Sequence, residues 1–551
     1  MRTGAQLLVE CLMEQEVEIG FGVPGESYLA VLDALKDVSN RFRFIGCRNE
    51  GGGAFMAEAY GKLTGKPGIL FVTRGPGATN ASIGIHTAMQ NSTPMVVFVG
   101  QIETSMRNRE AFQELDYPAV FGTMAKWAVE IDDADRVPEL VARAFSTALS
   151  GRPGPVVVAL PEDMLVQQTD AKPRGLIKPI QAEPSGTAIG QIMQHLAAAQ
   201  RPVIVAGGGG WSREGAASLC KFAEANELPV IVTFRNQDVM NNHSPSYLGE
   251  AGFGIAPEIR SFLDESDLIL ALNVRFGETL TDGYTLFNPA DFNKTLIHVH
   301  ASEQEIGKIF TPVQGVVSEP NMATAALAAQ QPVDDRPWAE RTRSGRAAWE
   351  AGLKIRPQPG DVDMGVIMQY LQKRLPKDTI ITNGAGNFAG WGGRYLHYGN
   401  GKRLLGPQAG AMGAGIPAAV AAKLADPQRF VLCFAGDGDF QMTGTELGTA
   451  LQYGAAPVIL VLNNGTYGTI RMHQEREYPG RVSGTDIVNP DFAMFAQAYG
   501  LHGETVRKTE EFEEAFERAC ASNSGGLIEL IIDSEGISPR TTISELRARN
   551  S

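Results

Sequence analysis

Cysteine is scarce: there are five in 551 residues, Cys11, Cys47, Cys220, Cys433 and Cys520, and none forms a CxxC pair. An odd, scattered set excludes a disulfide framework and a cysteine zinc site, and reads as five buried thiols in a reducing compartment. Long apolar runs are also missing. No stretch reaches the roughly 18 residues of a membrane span. Glu10, Glu14, Glu16 and Glu18 break up the region where a signal peptide would carry its apolar core. No basic run occurs, and 48 Lys plus Arg against 62 Asp plus Glu leave a formal charge of −14. Binding to a phosphate backbone is largely electrostatic, so nucleic acid and membrane are excluded as partners. The expected location is cytoplasmic. Short-period repeats and low-complexity segments are absent.

What the chain does have is an ordinary globular balance, 43% hydrophobic and 20% charged. At about 150 residues per domain, its length predicts three or four domains. The 62 glycines are spread along the chain, as expected for many tight strand-to-helix turns. Short β-branched runs alternate with helical stretches, which predicts parallel sheets with crossover helices. In the first block the strands are placed around Ile45 and at 69–73, 95–100 and 155–160, with helices at 51–63 and 78–90. A strand running into a glycine turn at 201–210, then strands at 229–233, 268–272 and 296–299, mark a second block. A third carries strands at 379–382, 430–435, 457–462 and 527–532. Polar, Pro-bearing stretches at 170–184 and 331–346 read as linkers. The fold class is thus α/β, three doubly wound parallel-sheet domains, at 1–168, 185–330 and 355–551.

The most informative pattern is Gly436-Asp437-Gly438 after one strand and Asn463-Asn464 closing the next. In an open parallel sheet both fall at the carboxyl edge, where ligands bind. Asp437, Asn464 and a nearby carbonyl such as that of Thr466 form a hard oxygen set suited to Mg²⁺, usually completed by phosphate oxygens. Gly436 and Gly438 would let a diphosphate approach the backbone. Either piece alone reads as an ordinary turn or helix cap; the joint spacing favours the site.

With that spacing the chain resembles the thiamine diphosphate (ThDP) enzymes, and in particular the acetolactate synthase large-subunit family. The resemblance runs through Arg48-Asn49-Glu50, AEAYGKLTG at 57–65, TRGPGATNAS at 73–82, FQELD at 112–116, GRPGPVVVALP at 151–161 and GAMGAGIPAA at 410–419. It implies pyrimidine-binding, central and diphosphate-binding domains, in that order. Glu50 matches the glutamate that meets N1′ of the aminopyrimidine, Met412 the apolar prop for the bent cofactor, and the Gly410 carbonyl its 4′-amino acceptor. Asp437, Asn464 and Thr466 take the metal and diphosphate roles; Gln113, with Phe112, faces substrate, and Lys126 lies near a channel mouth. The implied reaction is ylide attack on a 2-keto acid, loss of CO₂, and addition of the enamine to a second carbonyl. The implied assembly is a homodimer or homotetramer, with active sites between the first block of one subunit and the third of another.

Departures from that family bear on substrate. Glu26 stands where the family has a small residue, and is either a proton donor or a solvated turn residue. Thr469 and His473 replace the usual Met and Trp after the Asn pair; His473 is a substrate-facing candidate or a structural histidine. GAGNFAGW at 384–391 replaces a GQHQMW-like run. A 2-keto acid decarboxylase, an aldehyde lyase or a 2-hydroxyacyl-CoA lyase on the same cofactor is the alternative; a non-catalytic ThDP-binding homologue is disfavoured by the retention of Glu50, Asp437 and Asn464. In the central block Ser212 stands at the third glycine position of a GxGxxG pattern. His298-Val299-His300-Ala301 replaces the family's acidic pair, so a ribose would lose its acceptor and FAD is not expected.

Overall fold

In the computed structural model, which describes residues 1–550, three sheets of six parallel strands each are flanked by helices. The first sheet runs, edge to edge, Arg43–Gly46, Ile19–Gly22, Gly68–Val72, Met95–Gln101, Pro155–Pro161 and Trp127–Glu130. The third runs Arg403–Leu405, Ile380–Asn383, Val431–Gly436, Val458–Asn463, Gly526–Ile531 and His502–Val506. Numbered by chain order within each sheet, both read 2-1-3-4-6-5. The central sheet reads 3-2-1-4-5-6, from Tyr247–Ala251 through Val230–Thr233, Pro202–Ala206, Leu268–Leu272 and Thr295–His300 to Gln314–Val317. In the first and third sheets the last strand turns back to lie between the fourth and fifth, and in all three sheets the order reverses beside the first strand. At that point neighbouring crossovers leave on opposite faces and open a crevice at the strand carboxyl ends.

Local chemistry sets the elements that flank these crevices. Asn49 caps the helix Glu50–Thr64, accepting from the Gly51 amide at 2.8 Å, and Gly65 ends it in the left-handed conformation, φ +73°. Pro76 opens the helix Pro76–Asn91 directly after Gly75, φ +56°. The Gly- and Ala-rich helices Glu50–Thr64 and Gly415–Ala425 lack bulk, and they pack into a single apolar core shared by the first and third domains. Ala54, Met56 and Ala57 lie in it beside Ile416, Ala418, Ala419 and Ala422.

Two sequence expectations need correction. The stretch 331–346 is not simply a linker: the helix Ala339–Gly352 begins within it and lies on the central domain. Trp338 is fully buried, its indole N–H donates to the Asn226 carbonyl at 3.0 Å, and the Arg341 guanidinium covers the Phe262 ring. Arginine stems supply much of the contact, so the segment's charge hid its packing. Of the five thiols, Cys11, Cys47 and Cys433 are buried, whereas Cys220 and Cys520 are only half-buried. No helix among the described residues is long and apolar enough to cross a membrane.

Candidate active site

The crevice of the first sheet opens between the ends of Ile19–Gly22 and Gly68–Val72, and three of the expected residues gather there. Arg74, nearly buried, is the hub. Its guanidinium pairs with Glu26 at 3.0 Å and with Glu162, and its Nε donates to the Phe112 carbonyl at 3.1 Å. That carbonyl anchors the loop carrying Gln113, whose backbone is left-handed at φ +65° and lies against Gly75; a Cβ there would sit 2.9 Å from the Gln113 Cβ. Glu50 ends the loop after Arg43–Gly46, half-buried beside Gly77, and accepts from the Asn80 amide at 2.9 Å. Glu26 itself is two-thirds exposed, and the exposed Phe112 ring stands by Arg74.

The crevice of the third sheet opens between Ile380–Asn383 and Val431–Gly436. Asp437 lies buried at its floor. One carboxylate oxygen accepts from the Gly438 amide at 2.9 Å; the other accepts from the Gly465 amide and from Asn489 Nδ2, both at 2.8 Å. Burial pushes this carboxyl up, and no cationic side chain among the described residues pairs with it. A desolvated carboxylate surrounded by neutral donors has the chemistry to accept a cation. The Asn464 oxygen accepts from the Thr466 amide at 3.2 Å, and the Thr466 hydroxyl donates to the Thr485 carbonyl, so both residues stay beside Asp437. Gly410, exposed at φ +67° with open space where a Cβ would point, and half-buried Met412 lie on the loop just before Gly413, whose amide is held by Asp439.

Several residues here carry no signal in an isolated motif. Asp439 is buried and its Oδ1 accepts from the Ala385 amide at 3.1 Å and the Gly413 amide at 2.8 Å, tying the two loops that border Asp437; burial pushes it up to about 7. Arg235 reaches across from the central domain to the carbonyls of Gly384 (3.0 Å) and Pro407 (2.6 Å). Thr469 accepts from the Asn387 amide at 2.9 Å, which fixes the segment 384–391 against the helix Gly468–Glu477.

Other expected residues meet partners within the chain. The volume a Cβ would take at Gly436 is filled by the Phe388 ring, and at Gly438 by the Tyr467 ring, so these glycines make room for protein side chains. His473 is exposed, with Nδ1 2.7 Å from the Arg476 guanidinium. Lys126 serves the end of the helix Val137–Leu149, donating to the carbonyls of Thr147 and, at 2.7 Å, Ser150. Ser212 caps the helix Arg213–Ala225, accepting from the Gly215 amide at 3.0 Å. In the central crevice Asn273 donates to the Gly209 carbonyl at 2.7 Å, Arg152 pairs with Glu305 at 3.1 Å, and Arg275 donates to the Gln90 carbonyl. His298 and His300 are buried, and desolvation pushes both down, His300 to about 4.

The C-terminal segment straps this half together. Arg547, on the helix Ile543–Asn550, reaches Glu475 through two hydrogen bonds of 2.6 and 2.8 Å, and Arg471 and the Gly480 amide complete the set at 2.9 Å each. These donors hold the Glu475 carboxyl down near 2, from an ordinary 4.5. The latch therefore contributes in full above pH 4.5 and fades as pH falls toward 2. Thermal unfolding of wild type and Glu475→Gln should differ most at neutral pH and converge in that acid window.

No hydrogen bond or ion pair among the described residues joins Glu50, Glu26 or Gln113 to Asp437, Asn464, Thr466 or Met412. The fold and these two separate half-sites define a three-domain ThDP-dependent enzyme, and family profiles match in the same three pieces. They are the thiamine pyrophosphate enzyme N-terminal TPP binding domain over residues 2–120, the central domain over 189–327, and the C-terminal TPP binding domain over 384–530. The chain is 30% identical to acetolactate synthase isozyme 2 large subunit of Escherichia coli, covering 96% of this chain and 95% of that one. It is 32% identical to the acetolactate synthase large subunit of Lactococcus lactis, covering 91% and 87%. With the mitochondrial catalytic subunit of Saccharomyces cerevisiae the identity is 30%, over 96% and 81%. The chain belongs to the acetolactate synthase family of ThDP-dependent enzymes.

Proposed function

We propose that this enzyme uses ThDP and Mg²⁺ to decarboxylate a 2-keto acid such as pyruvate and to join the remaining fragment to a second carbonyl compound, in sites formed between two copies of the chain. The observation that carries this reading is the division of the site. Glu50 and its neighbours border the crevice of the first sheet, and the buried Asp437, held by neutral donors, borders that of the third.

The side chains present suit the group. Asp437 and Asn464, with the Thr466 carbonyl, would hold Mg²⁺ and through it the diphosphate; Met412 and the Gly410 carbonyl would meet the aminopyrimidine, and Glu50 its N1′. When bound, ThDP supplies the carbon nucleophile and the electron sink that makes loss of CO₂ easy. The protein's share is proton placement and shape. Asn80 steadies the Glu50 carboxyl, which exchanges a proton at N1′. Asp439 and Thr469 hold the loops that exclude water from one side. Glu26 pairs with Arg74 through one of its two oxygens, which fixes its position beside the first crevice.

Turnover of pyruvate with ThDP and Mg²⁺, followed by identification of the product, tests this. Acetolactate with CO₂ is expected; acetaldehyde as the main product overturns the carboligase reading in favour of a decarboxylase. Chelation should abolish turnover, and added Mg²⁺ should restore it. We also propose a central domain without tightly bound flavin: Asn273 holds the Gly207–Gly210 turn, Arg152 through Glu305 and Arg275 through Gln90 tie its surroundings to the first domain, and His298 and His300 stand where a ribose would need a carboxylate. Purified enzyme should lack visible flavin absorbance, and a stoichiometric flavin band would refute this.

A further inference from the structure

The loop that ends in Glu50 is held from the far end of the chain. Glu446, with no exposed surface, lies nine residues beyond Asp437 and points away from it into the first domain. Its Oε1 accepts from the backbone amides of Arg48 and Asn49, both at 3.1 Å, and its Oε2 accepts from the Arg48 amide at 3.3 Å and the Thr449 hydroxyl at 2.5 Å. The helix Leu447–Tyr453 grips the rest of the loop. Tyr453 Oη accepts from the Gly46 amide at 2.8 Å, and Arg48 donates to the Gly448 carbonyl and to Gln452, each at 2.9 Å. Gly52, on the next turn, touches the carboxylate; a Cβ there would stand 2.3 Å from Oε1.

We propose that Glu446 is a positioning residue for Glu50: its carboxylate fixes the two peptide units from which Glu50 departs, and so sets where the Glu50 carboxyl meets the aminopyrimidine. This rests on the reading of Glu50 above. The physical grounds are the strength and the number of the contacts. Two consecutive N–H groups that no helix or strand satisfies are both taken by one buried charged acceptor, and such charge-assisted bonds are the stiff ones. Among the described residues no other side chain accepts from either amide. The consequence reaches beyond one site. If sites form between copies, the segment 437–446 of each chain carries the cation seat of one site at Asp437 and the support for the acid of the other at Glu446.

Shortening the support is the test. Glu446→Asp withdraws the carboxylate by roughly 1.5 Å, one C–C bond. A misplacement of about 1 Å is enough to cost on the order of 100-fold in a positioned reaction. With enzyme saturated in ThDP and Mg²⁺, kcat should fall about 10- to 100-fold. ThDP affinity, read from quenching of tryptophan fluorescence, should change less than about threefold, because the diphosphate half is untouched. The circular dichroism of the bound cofactor, which reports its tautomer, should change as well. Glu446→Gln keeps a carbonyl oxygen of full reach for both amides but loses the charge and the second contact to Arg48, so its kcat and spectrum should lie between those of wild type and Glu446→Asp. If Glu446→Asp folds too poorly to assay, Gly52→Ala displaces the same carboxylate from the opposite side and should give the same split. Combined with Glu50→Gln, Glu446→Asp should add no further loss, as expected for a residue acting through Glu50.

A purely structural role predicts otherwise: lowered thermal stability with kcat and cofactor dichroism unchanged, which would overturn the proposal. Full activity in Glu50→Gln would overturn the underlying reading of Glu50 and this inference with it. An inactive Glu50→Gln beside a fully active Glu446→Asp would overturn this inference alone.

Discussion

Replacing Glu50 by Gln should lower kcat by about 10²- to 10⁴-fold, the usual contribution of a positioned acid–base group. Glutamine has the same shape, and its carbonyl oxygen can still accept from Asn80, which in the native chain donates at 2.9 Å. What it loses is an exchangeable carboxyl proton. The variant should therefore fold normally, keep its thermal midpoint and retain ThDP, since the groups placed to hold Mg²⁺ and diphosphate lie on the third sheet. Steady-state turnover alongside ThDP titration separates these quantities. A variant that binds the cofactor as wild type does and turns over at the wild-type rate would exclude Glu50 from proton exchange. One that fails to bind at all would make it a cofactor anchor instead.

How much of this could be read from the sequence depends on the range over which the information is stored. Asp437, Asn464 and Thr466 are legible because strand ends and turns are local: a β-branched run followed by Gly-Asp-Gly or Asn-Asn announces both the strand and the edge on which its loop lies. The three sheets were legible for the same reason, since buried parallel strands are nearly continuous apolar runs. The helix Ala339–Gly352 was not, because it docks through Trp338, Trp349 and arginine stems, and a charged stretch of that kind has the composition of a linker. Glu446, Asp439 and Arg235 were invisible for a deeper reason. Each acts through contacts with backbone amides or carbonyls, whose positions no residue identity encodes. The amides that Glu446 serves lie almost 400 positions away, at a separation of 398 and 397 residues. The packing of Gly436 and Gly438 against Phe388 and Tyr467 makes the same point: the glycines are evident in the sequence, but the rings they accommodate come from other segments.

The division of the site makes a second strong prediction, which concerns two inactive chains rather than one. Asp437→Asn removes the charge from a buried carboxylate that no side-chain cation among the described residues neutralises. Binding of ThDP in the presence of Mg²⁺ should weaken by at least on the order of 100-fold, because even the outer partners of a bound metal are worth about 10- to 100-fold. Asp437→Asn and Glu50→Gln should each be nearly inactive alone. Coexpressed in equal amounts and purified together, they should recover activity if Glu50 of one copy works with Asp437 of another. Random pairing makes about half of the dimers mixed, and each mixed dimer holds one doubly altered site and one intact site, so about a quarter of wild-type turnover should return. Were Glu50 and Asp437 of the same chain to form a site, no pairing could restore one, and the mixture would remain as inactive as its components. The assay thus tests the placement of the catalytic groups and the need for a second copy in a single measurement. It does so with side chains that the same chain already holds in place: Glu50 by Asn80, and Asp437 by Gly438, Gly465 and Asn489.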